Sequence, residues 1–319
     1  MSTLRPLMLA VRATVGVMCR RVLAGALTLL GTSLIVFLLA HSVPADPTAA
    51  FLGPQTDAAT RERVRRELGL DDPLWQQYLR FAGRAARGDL GRSFVTRERV
   101  ADAIIARLPV TLGLTAGTLA VWVLVGVPLG MLTARARGSR LDRSVLGVSM
   151  VAISLPTFWL GRLLQFQFAY RWGLFPVAGF GDWRHLILPS LTLGIIGAGY
   201  YARLVHAHVV EVLGQDYVRA ARARGLGEFR VLAGHALPNA LAPILTVLGM
   251  DLASLLGGVV FTENVFALPG LGALSVTAVL NLDVPMLMGT VLFAALLVVV
   301  TNLAVDLAYG LLDPRVRGA

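Results

Sequence analysis

Acidic residues in or beside long apolar stretches are the side chains of this sequence most suited to chemistry. Asp251 interrupts one apolar stretch, Glu263 follows it closely, and Asp306 follows a later stretch. Ionisable groups inside a bilayer are costly and often mark a path for a solute, an ion or a proton. These three residues are therefore candidates for a transport pathway or its gate. The simpler alternative for Asp251 and Asp306, which we favour, is a hydrogen bond at a helix end or between helices.

Patterns for catalysis or metal binding are missing from the sequence. All 29 basic residues are arginine, whereas a nucleotide-binding P-loop needs a lysine to reach the phosphates. The H-E-x-x-H and G-x-S-x-G motifs are absent, Cys19 is the only cysteine, and His206 and His208 lie on different faces of a helix. We expect no catalytic residue, no metal site and no cofactor in this chain, so that any ATP hydrolysis must come from another chain.

Long apolar runs indicate an integral membrane protein. Hydrophobic residues make up 56% of the 319 residues and charged residues only 15%, against about 25% charged in an average soluble domain. About 20 apolar residues in a helix cross the hydrocarbon core, where backbone groups must bond within the segment. We therefore predict an all-α integral membrane protein with six transmembrane helices, the first being retained rather than cleaved as a signal peptide. The apolar runs are residues 22–40, 108–133, 144–161 (continuing to 170), 186–202, 241–260 and 284–305.

The placement of arginine predicts which side of the membrane each segment faces. With the N-terminus in the cytoplasm, the short inward segments hold 15 arginines, and the two short outward loops hold only Arg171 and Arg184. This asymmetry follows the positive-inside rule. Both termini are therefore expected in the cytoplasm. The same arginines explain the net charge of +10 through contact with the lipid bilayer, without a nucleic-acid partner.

The predicted topology divides the chain into four parts, one of them a long external segment. The parts are a cytoplasmic N-terminus with the first transmembrane helix (1–40), the external segment (41–107), a five-helix permease core (108–312) and a cytoplasmic tail (313–319). The external segment has helical periodicity at 57–70 and 74–85, which predicts an extracellular helical cap. We expect Glu263 and Asp283 at the outer boundary, where they shape the loop after the fifth helix.

A basic loop between the fourth and fifth apolar runs has the pattern of two short helices. Asp216 can cap the first helix, and Gly225 can end it in the left-handed conformation. Glu228 then lies in the first turn of a second helix, where the helix dipole favours an acid. Pro238 breaks or kinks the start of the fifth transmembrane helix. The sequence therefore predicts a projecting helical hairpin within residues 211–240.

The spacing in this loop resembles the EAA loop of bacterial ATP-binding-cassette (ABC) importer permeases. That loop reads E-A-A, three residues, glycine, nine residues, then I-x-L-P. The positions that match are Ala220, Ala221, Gly225, Leu237 and Pro238. Arg219 stands where the family has its acid, and His235 where it has isoleucine. The resemblance implies that the loop couples to an ATPase through Arg219, Ala220, Ala221, Arg224, Gly225, Leu226, Glu228 and Pro238.

Further motifs narrow the resemblance to the dipeptide, oligopeptide and nickel permease group. They occur in order along nearly the whole chain. They are P-A-D-P at 44–47, three matches in the external segment (68–73, 77–78 and 88–93), E-x-x-F-x-x-P-G-L-G at 263–272, and Asn302, Asp306, Tyr309 and 313–315 near the end. Each motif is weak alone, but their order makes the resemblance specific.

The resemblance implies a transport subunit rather than an enzyme. Such a permease works in the bacterial inner membrane with a second homologous permease chain. Two ABC ATPase chains bind ATP and Mg beneath it, and an extracellular or periplasmic solute-binding protein delivers a peptide or a related small solute, such as a nickel complex or a glutathione-like molecule. The alternative is a secondary transporter or channel that uses Asp251 and Asp306 as ion sites, and a third is a membrane scaffold without transport.

Overall fold

Helices make up the regular structure of this chain. The structure is a computed structural model that describes residues 4–42, 57–67, 69–257 and 259–312. Within these ranges the only β-type pairing is an isolated bridge between Arg92 and Arg99. The helices are α1 (Leu4–Ser42), α2 (Ala58–Glu67), α3 (Leu74–Ala85), α4 (Val100–Arg135), α5 (Arg140–Ser154), α6 (Thr157–Arg171), α7 (Ile187–Leu213), α8 (Asp216–Ala223), α9 (Glu228–Val231), α10 (Leu237–Leu256), α11 (Val260–Val265), α12 (Leu271–Leu280) and α13 (Val284–Leu312). The all-α prediction is confirmed for this part of the chain.

Within the described ranges, four helical segments are long and apolar enough to cross a membrane. They are Cys19–Ser42 within α1, Val100–Arg135, Trp183–Leu213 and Val284–Leu307 within α13. Two bent pairs are further candidates: α5 with α6, at 101°, and Glu228–Leu241 with Pro243–Leu256, at 58°. Pro156 and Pro243 stand at these bends, as expected for a residue that removes a helical hydrogen bond. By length and composition the structure thus supports four to six spans, and the count of six stays a prediction.

The external segment contains α2 and α3, near the two places where the sequence predicts helices. α3 packs on the end of α1, where the ring of Phe37 lies 5.5 Å from Tyr78 and 6.3 Å from Phe81 between centroids. Residues 43–56 and the tail 313–319 lie outside the described residues, and with them the motifs at 44–47 and 313–315. The position of α2 and α3 outside the membrane remains a prediction.

In the part of the chain that the structure describes, three helical segments are wound as π-helix, which inserts an extra residue into the turn and shifts the face that follows. They are Trp122–Gly126 in α4, Gln165–Arg171 in α6 and Leu232–Ala236 between α9 and α10. The shift in α6 buries Gln165, whose amide donates to the carbonyl oxygens of Val177 (2.9 Å) and Val265 (3.1 Å). These bonds join α6 to the loop that follows it and to the last residue of α11.

α7 is the central helix of the fold, and it contacts α4, α5, α6 and α10. Small residues allow the close approach: a Cβ on Gly126 of α4 would lie 3.0 Å from the carbonyl oxygen of Ala198, and one on Gly130 would lie 2.6 Å from that of Ala202. Such small-residue contacts are typical of helices packed inside a membrane. In the other direction, Gly197 of α7 makes room for the indole of Trp122, whose Nε1 donates to the carbonyl of Leu193 at 3.1 Å.

Gly197→Ala is expected to lower stability because of this contact. An added Cβ would lie 1.9 Å from Trp122 Nε1, and overpacking of this kind typically costs about 1–3 kcal/mol. The matched control is Gly147→Ala, since Gly147 is an exposed helical glycine with nothing within 4 Å of the new Cβ. Thermal unfolding of the purified proteins in detergent should show a lower Tm for Gly197→Ala only. Equal Tm values for both variants would show that the indole does not need this space.

Candidate functional site

The loop between α7 and α10 forms a helical hairpin that turns at Gly225. α8 ends at Ala223, and Gly225 has φ +80°, with its N–H donating to the carbonyl of Arg222 at 2.9 Å. A residue with a Cβ is strained in this region, whereas glycine is not. Two residues later, Gly227 has an ordinary φ of −62° and precedes α9. The glycine at the end of α8 thus sets the direction in which α9 departs.

An ion pair fixes α8 against α9. The guanidinium of Arg222 bonds the carboxylate of Glu228 in a two-pronged manner, with Nε–Oε1 at 2.8 Å and Nη2–Oε2 at 3.3 Å. Paired bonds of this type define the relative orientation of the two groups. Arg222 is absent from the residues that the sequence singles out. Its partner lies six residues away across a turn, a spacing that matches no helical pattern.

The inner face of the hairpin belongs to the core of the protein. Val218 and Ala221 of α8 and Val231 of α9 are completely buried, and Val218 and Val231 lie in one cluster with Val205 and Val209 of α7. Ala221 therefore needs its small side chain for packing, while Ala220 beside it is exposed. Leu226 and Glu228 are partly buried in the same turn. The hairpin is held to α7 rather than hanging free from it.

The outer face of the hairpin presents cations and aromatic rings. Arg219, Arg224 and Pro238 are exposed, and the Arg219 guanidinium makes local contacts to Asp216 (3.4 Å) and to the carbonyl of Gly214 (3.1 Å). Phe229 is 78% exposed and Tyr217 38%. The sequence motif does not include Phe229. Its position, as an aromatic residue in the first turn of a helix that projects from the membrane, could have indicated a contact residue. A large exposed ring on a projecting loop is typical of an interaction surface.

The carboxylates of Asp251 and Asp306 both have partners on other helices. The Tyr201 hydroxyl of α7 donates to Asp251 Oδ2 at 2.7 Å, and the Tyr201 ring stacks on Trp122 of α4 at 5.2 Å between centroids. Asp306 of α13 forms an ion pair with Arg21 of α1. In this conformation each carboxylate links two helices, as the simpler sequence-based interpretation expects.

Glu263 is completely buried and organises the loop that follows α10. Its Oε1 accepts from the Thr111 hydroxyl of α4 at 2.8 Å, and its Oε2 accepts from the backbone N–H of Ala273 at 2.9 Å, in the first turn of α12. Burial raises the pKa of Glu263, whereas these donors act in the opposite direction. A Cβ on Gly270 would lie 2.1 Å from Oε1, which explains the glycine in the P-G-L-G motif. The carboxylate acts as a cap for α12 and has no solvent contact in this conformation.

Asp283 has the same role at the start of α13. It accepts from the hydroxyl of Ser93 and from the backbone N–H groups of Phe94 (3.0 Å) and Met286 (3.4 Å). Ser93 is the last residue of the G-D-L-G-R-S segment that precedes α4, and Phe94 follows it. Asp283 thus joins this segment to the first turn of α13.

Comparison with known proteins gives the same family for nearly the whole chain. Residues 126–318 match the family described as binding-protein-dependent transport system inner membrane component, and residues 15–115 match the N-terminal membrane component of such systems. The chain is 40% identical over 306 residues to a Brucella abortus (strain 2308) protein named as the permease of a peptide transport system, covering 93% of this chain and 98% of that one. It is also 40% identical over 298 residues to the glutathione transport system permease protein GsiC of Escherichia coli (strain K12), covering 93% and 97%.

The fold has a counterpart among solved structures. A chain of the MetNI methionine ABC transporter, in an inward-facing conformation, matches with a TM-score of 0.58 and 19% identity, covering 66% of this chain and 96% of that chain. At this identity the likeness shows a shared fold. The family match, the two relatives that match over 93% of this chain and the order of its motifs all indicate one family. This chain belongs to the binding-protein-dependent permease family, as an ABC importer permease of the dipeptide/oligopeptide group.

Proposed function

We propose that this chain forms half of an inward solute pathway across the bacterial inner membrane, paired with a second homologous permease chain. Two ABC ATPase chains, which bind ATP and Mg, contact the α8–α9 hairpin from the cytoplasm. A solute-binding protein delivers the solute from outside. The observation that carries the proposal is the hairpin itself, which is exposed and cationic on its outer face and completely buried against α7 on its inner face.

The outer face of the hairpin suits a protein partner. Phe229 has an exposed ring, and exposed arginines lie on both sides of it in the sequence: Arg219, Arg224 and Arg230. Arginine and aromatic residues are enriched among the residues that contribute most to protein–protein affinity. An ATPase surface with an apolar cleft and acidic side chains would complement this face. Phe229 is the expected anchor in that cleft.

The inner face of the hairpin explains how ATPase movement would reach the membrane helices. Val218 and Val231 share a core with Val205 and Val209, and such close-packed interiors transmit displacement rather than absorbing it. The Arg222–Glu228 pair keeps α8 and α9 in one orientation. A force on the hairpin would therefore displace α7, and with it the helices that pack on α7.

The orientation that we propose places the hairpin and both termini in the cytoplasm and the segment 41–107 outside. It rests on the excess of arginine in alternate loops. α4 ends at Arg135, and the first turn of α5 contains Arg140 and Arg143. We place these helix ends on the same side as the hairpin. This side would face both the ATPase chains and the anionic inner surface of the membrane.

A peptide is the solute that we propose. The support is the resemblance to the dipeptide and oligopeptide group, together with two relatives named for peptide and for glutathione transport; glutathione is itself a tripeptide. Nickel complexes are a second class within the same group. A secondary transporter based on Asp251 and Asp306 is less well supported, because both carboxylates are bonded to partners on neighbouring helices.

Uptake should depend on ATP and not on an ion gradient. The lysine-free sequence has no P-loop, so the purified chain alone should hydrolyse no ATP. In proteoliposomes that contain both permease chains and both ATPase chains, peptide uptake with the binding protein should require ATP and survive ionophores that collapse ion gradients. Uptake driven by an ion gradient without ATP would favour the secondary transporter instead.

Gly225→Val should uncouple transport while leaving the protein in the membrane. The φ of +80° makes any β-branched residue strained, at a cost of about 1–2 kcal/mol, which is too little to prevent insertion but enough to redirect α9. We expect normal membrane levels and loss of most peptide-dependent ATP hydrolysis and uptake. Gly227→Val is the matched control, because Gly227 has an ordinary φ and open space around its Cα. Arg219→Ala should have a much smaller effect, since this position already differs from the family acid.

Coupled transport at the normal rate in Gly225→Val would show that the hairpin does not need this turn. Equal losses in Gly225→Val and Gly227→Val would show that bulk on the hairpin surface, rather than its backbone conformation, causes the defect.

A further inference from the structure

A cavity of about 950 Å³ lies between α3, the end of α1 and the start of α13. Phe37 and His41 of α1 line one side, and Val284 and Met288 of α13 line another. These residues belong to the terminal turns of two candidate membrane spans, Cys19–Ser42 and Val284–Leu307. In a bilayer crossed by these two spans, the cavity would lie near the depth where the hydrocarbon core gives way to lipid headgroups.

The polar part of the cavity wall is strongly cationic. Arg80, Arg84, Arg87 and Arg92 line it, with Asp89 as the only acid among the lining residues. Arg80 is occupied by Asp72, at 2.6 Å, and Asp89 accepts the backbone N–H of Gly91 at 3.0 Å. Arg84 and Arg87 form no ion pair within the part of the chain that the structure describes. Two guanidinium groups are thus available to an anion.

Apart from His41 and Gln77, the remaining side chains of the wall are apolar, and so are exposed side chains next to the wall. Phe37, Phe81, Leu90 and Met288 contribute to the lining. On α3, Trp75 is 63% exposed and Leu79 58%, while Tyr78 and Phe81 pack on α1. The apolar face of α3 is wider than the part that the protein covers. A helix with arginine on one face and exposed Trp and Leu on another is typical of an interfacial helix.

We propose that this cavity binds an anionic phospholipid, with its phosphate at Arg84 and Arg87 and its acyl chains along α1 and α13. A phosphate offers the oxygen acceptors that guanidinium groups bind in pairs. The apolar wall favours a lipid over a soluble anion, and Leu38 and Leu39, which follow the lining residue Phe37 in the candidate span Cys19–Ser42, are exposed. The bound lipid would fix α3 at the membrane surface and hold the external segment against α1 and α13.

Native mass spectrometry of the full chain in detergent tests the proposal. The probes are palmitoyl-oleoyl phosphatidylglycerol and phosphatidylcholine, which have the same tails and differ in charge. Replacing Arg84 and Arg87 together by Gln should weaken the first phosphatidylglycerol site by about tenfold or more, since each arginine contributes about 1 kcal/mol to binding of anionic lipid. Phosphatidylcholine binding should not change. Replacing both by Lys should preserve most of the preference and shows that a loss with Gln is not caused by misfolding.

The matched control is the double variant Arg63→Gln and Arg66→Gln, which removes the same charge from exposed positions of α2 outside the cavity. It should bind phosphatidylglycerol like the unaltered chain. Equal phosphatidylglycerol affinity in the Arg84/Arg87 variant and the unaltered chain would overturn the proposal. So would displacement of the lipid by soluble glycerol phosphate at matched concentration, which would identify a site for soluble anions, or equal loss in both double variants, which would indicate a response to net charge.

Discussion

The contact between α7 and the α8–α9 hairpin is the interaction on which the rest of the molecule depends. Val205 and Val209 on one side and Val218 and Val231 on the other are completely buried in a single cluster. α7 in turn is packed so closely against α4 that Gly126 and Gly130 have no space for a Cβ. The hairpin, α7 and α4 therefore form one continuous packed body. Any movement of the hairpin must either move this body or break its core.

Buried carboxylates organise the opposite end of the molecule. Glu263 caps α12 and accepts a hydrogen bond from Thr111 of α4. Asp283 caps α13 and accepts hydrogen bonds from Ser93 and Phe94. In apolar surroundings a helix terminus needs partners for its free N–H groups, and water is scarce. An acidic side chain supplied from a distant part of the chain satisfies these groups. Contacts within the fold therefore account for Glu263 and Gly270 of the E-x-x-F-x-x-P-G-L-G motif and for Ser93 of the G-D-L-G-R-S motif.

Much of the fold could be predicted from the sequence, because hydrophobic runs, arginine asymmetry and glycine conformation are local properties. The apolar runs predict the long helices, and Gly225 has the left-handed conformation that its position after α8 predicts. The sequence does not predict the bend of 101° between α5 and α6, because the apolar run continues through it. The sequence does not predict the π-helical segments either, because they arise from packing. The partners of Asp251 and Glu228 are Tyr201 and Arg222, and spacing in the sequence does not reveal such pairings.

The most direct test of the central claim is whether the hairpin touches an ATPase chain. In a Cys19→Ser background, Phe229→Cys should cross-link to an ATPase subunit with a short maleimide–benzophenone reagent, which needs a thiol on this chain only, because Phe229 is the most exposed ring of the hairpin. Arg184→Cys, in the turn before α7 and at the opposite end of that helix from the hairpin, should give no such product. The yield at Phe229→Cys should change when ATP is bound, since a coupling contact must differ between the two states. Cross-linking at Arg184→Cys but not at Phe229→Cys would contradict the assignment of the hairpin as the coupling element.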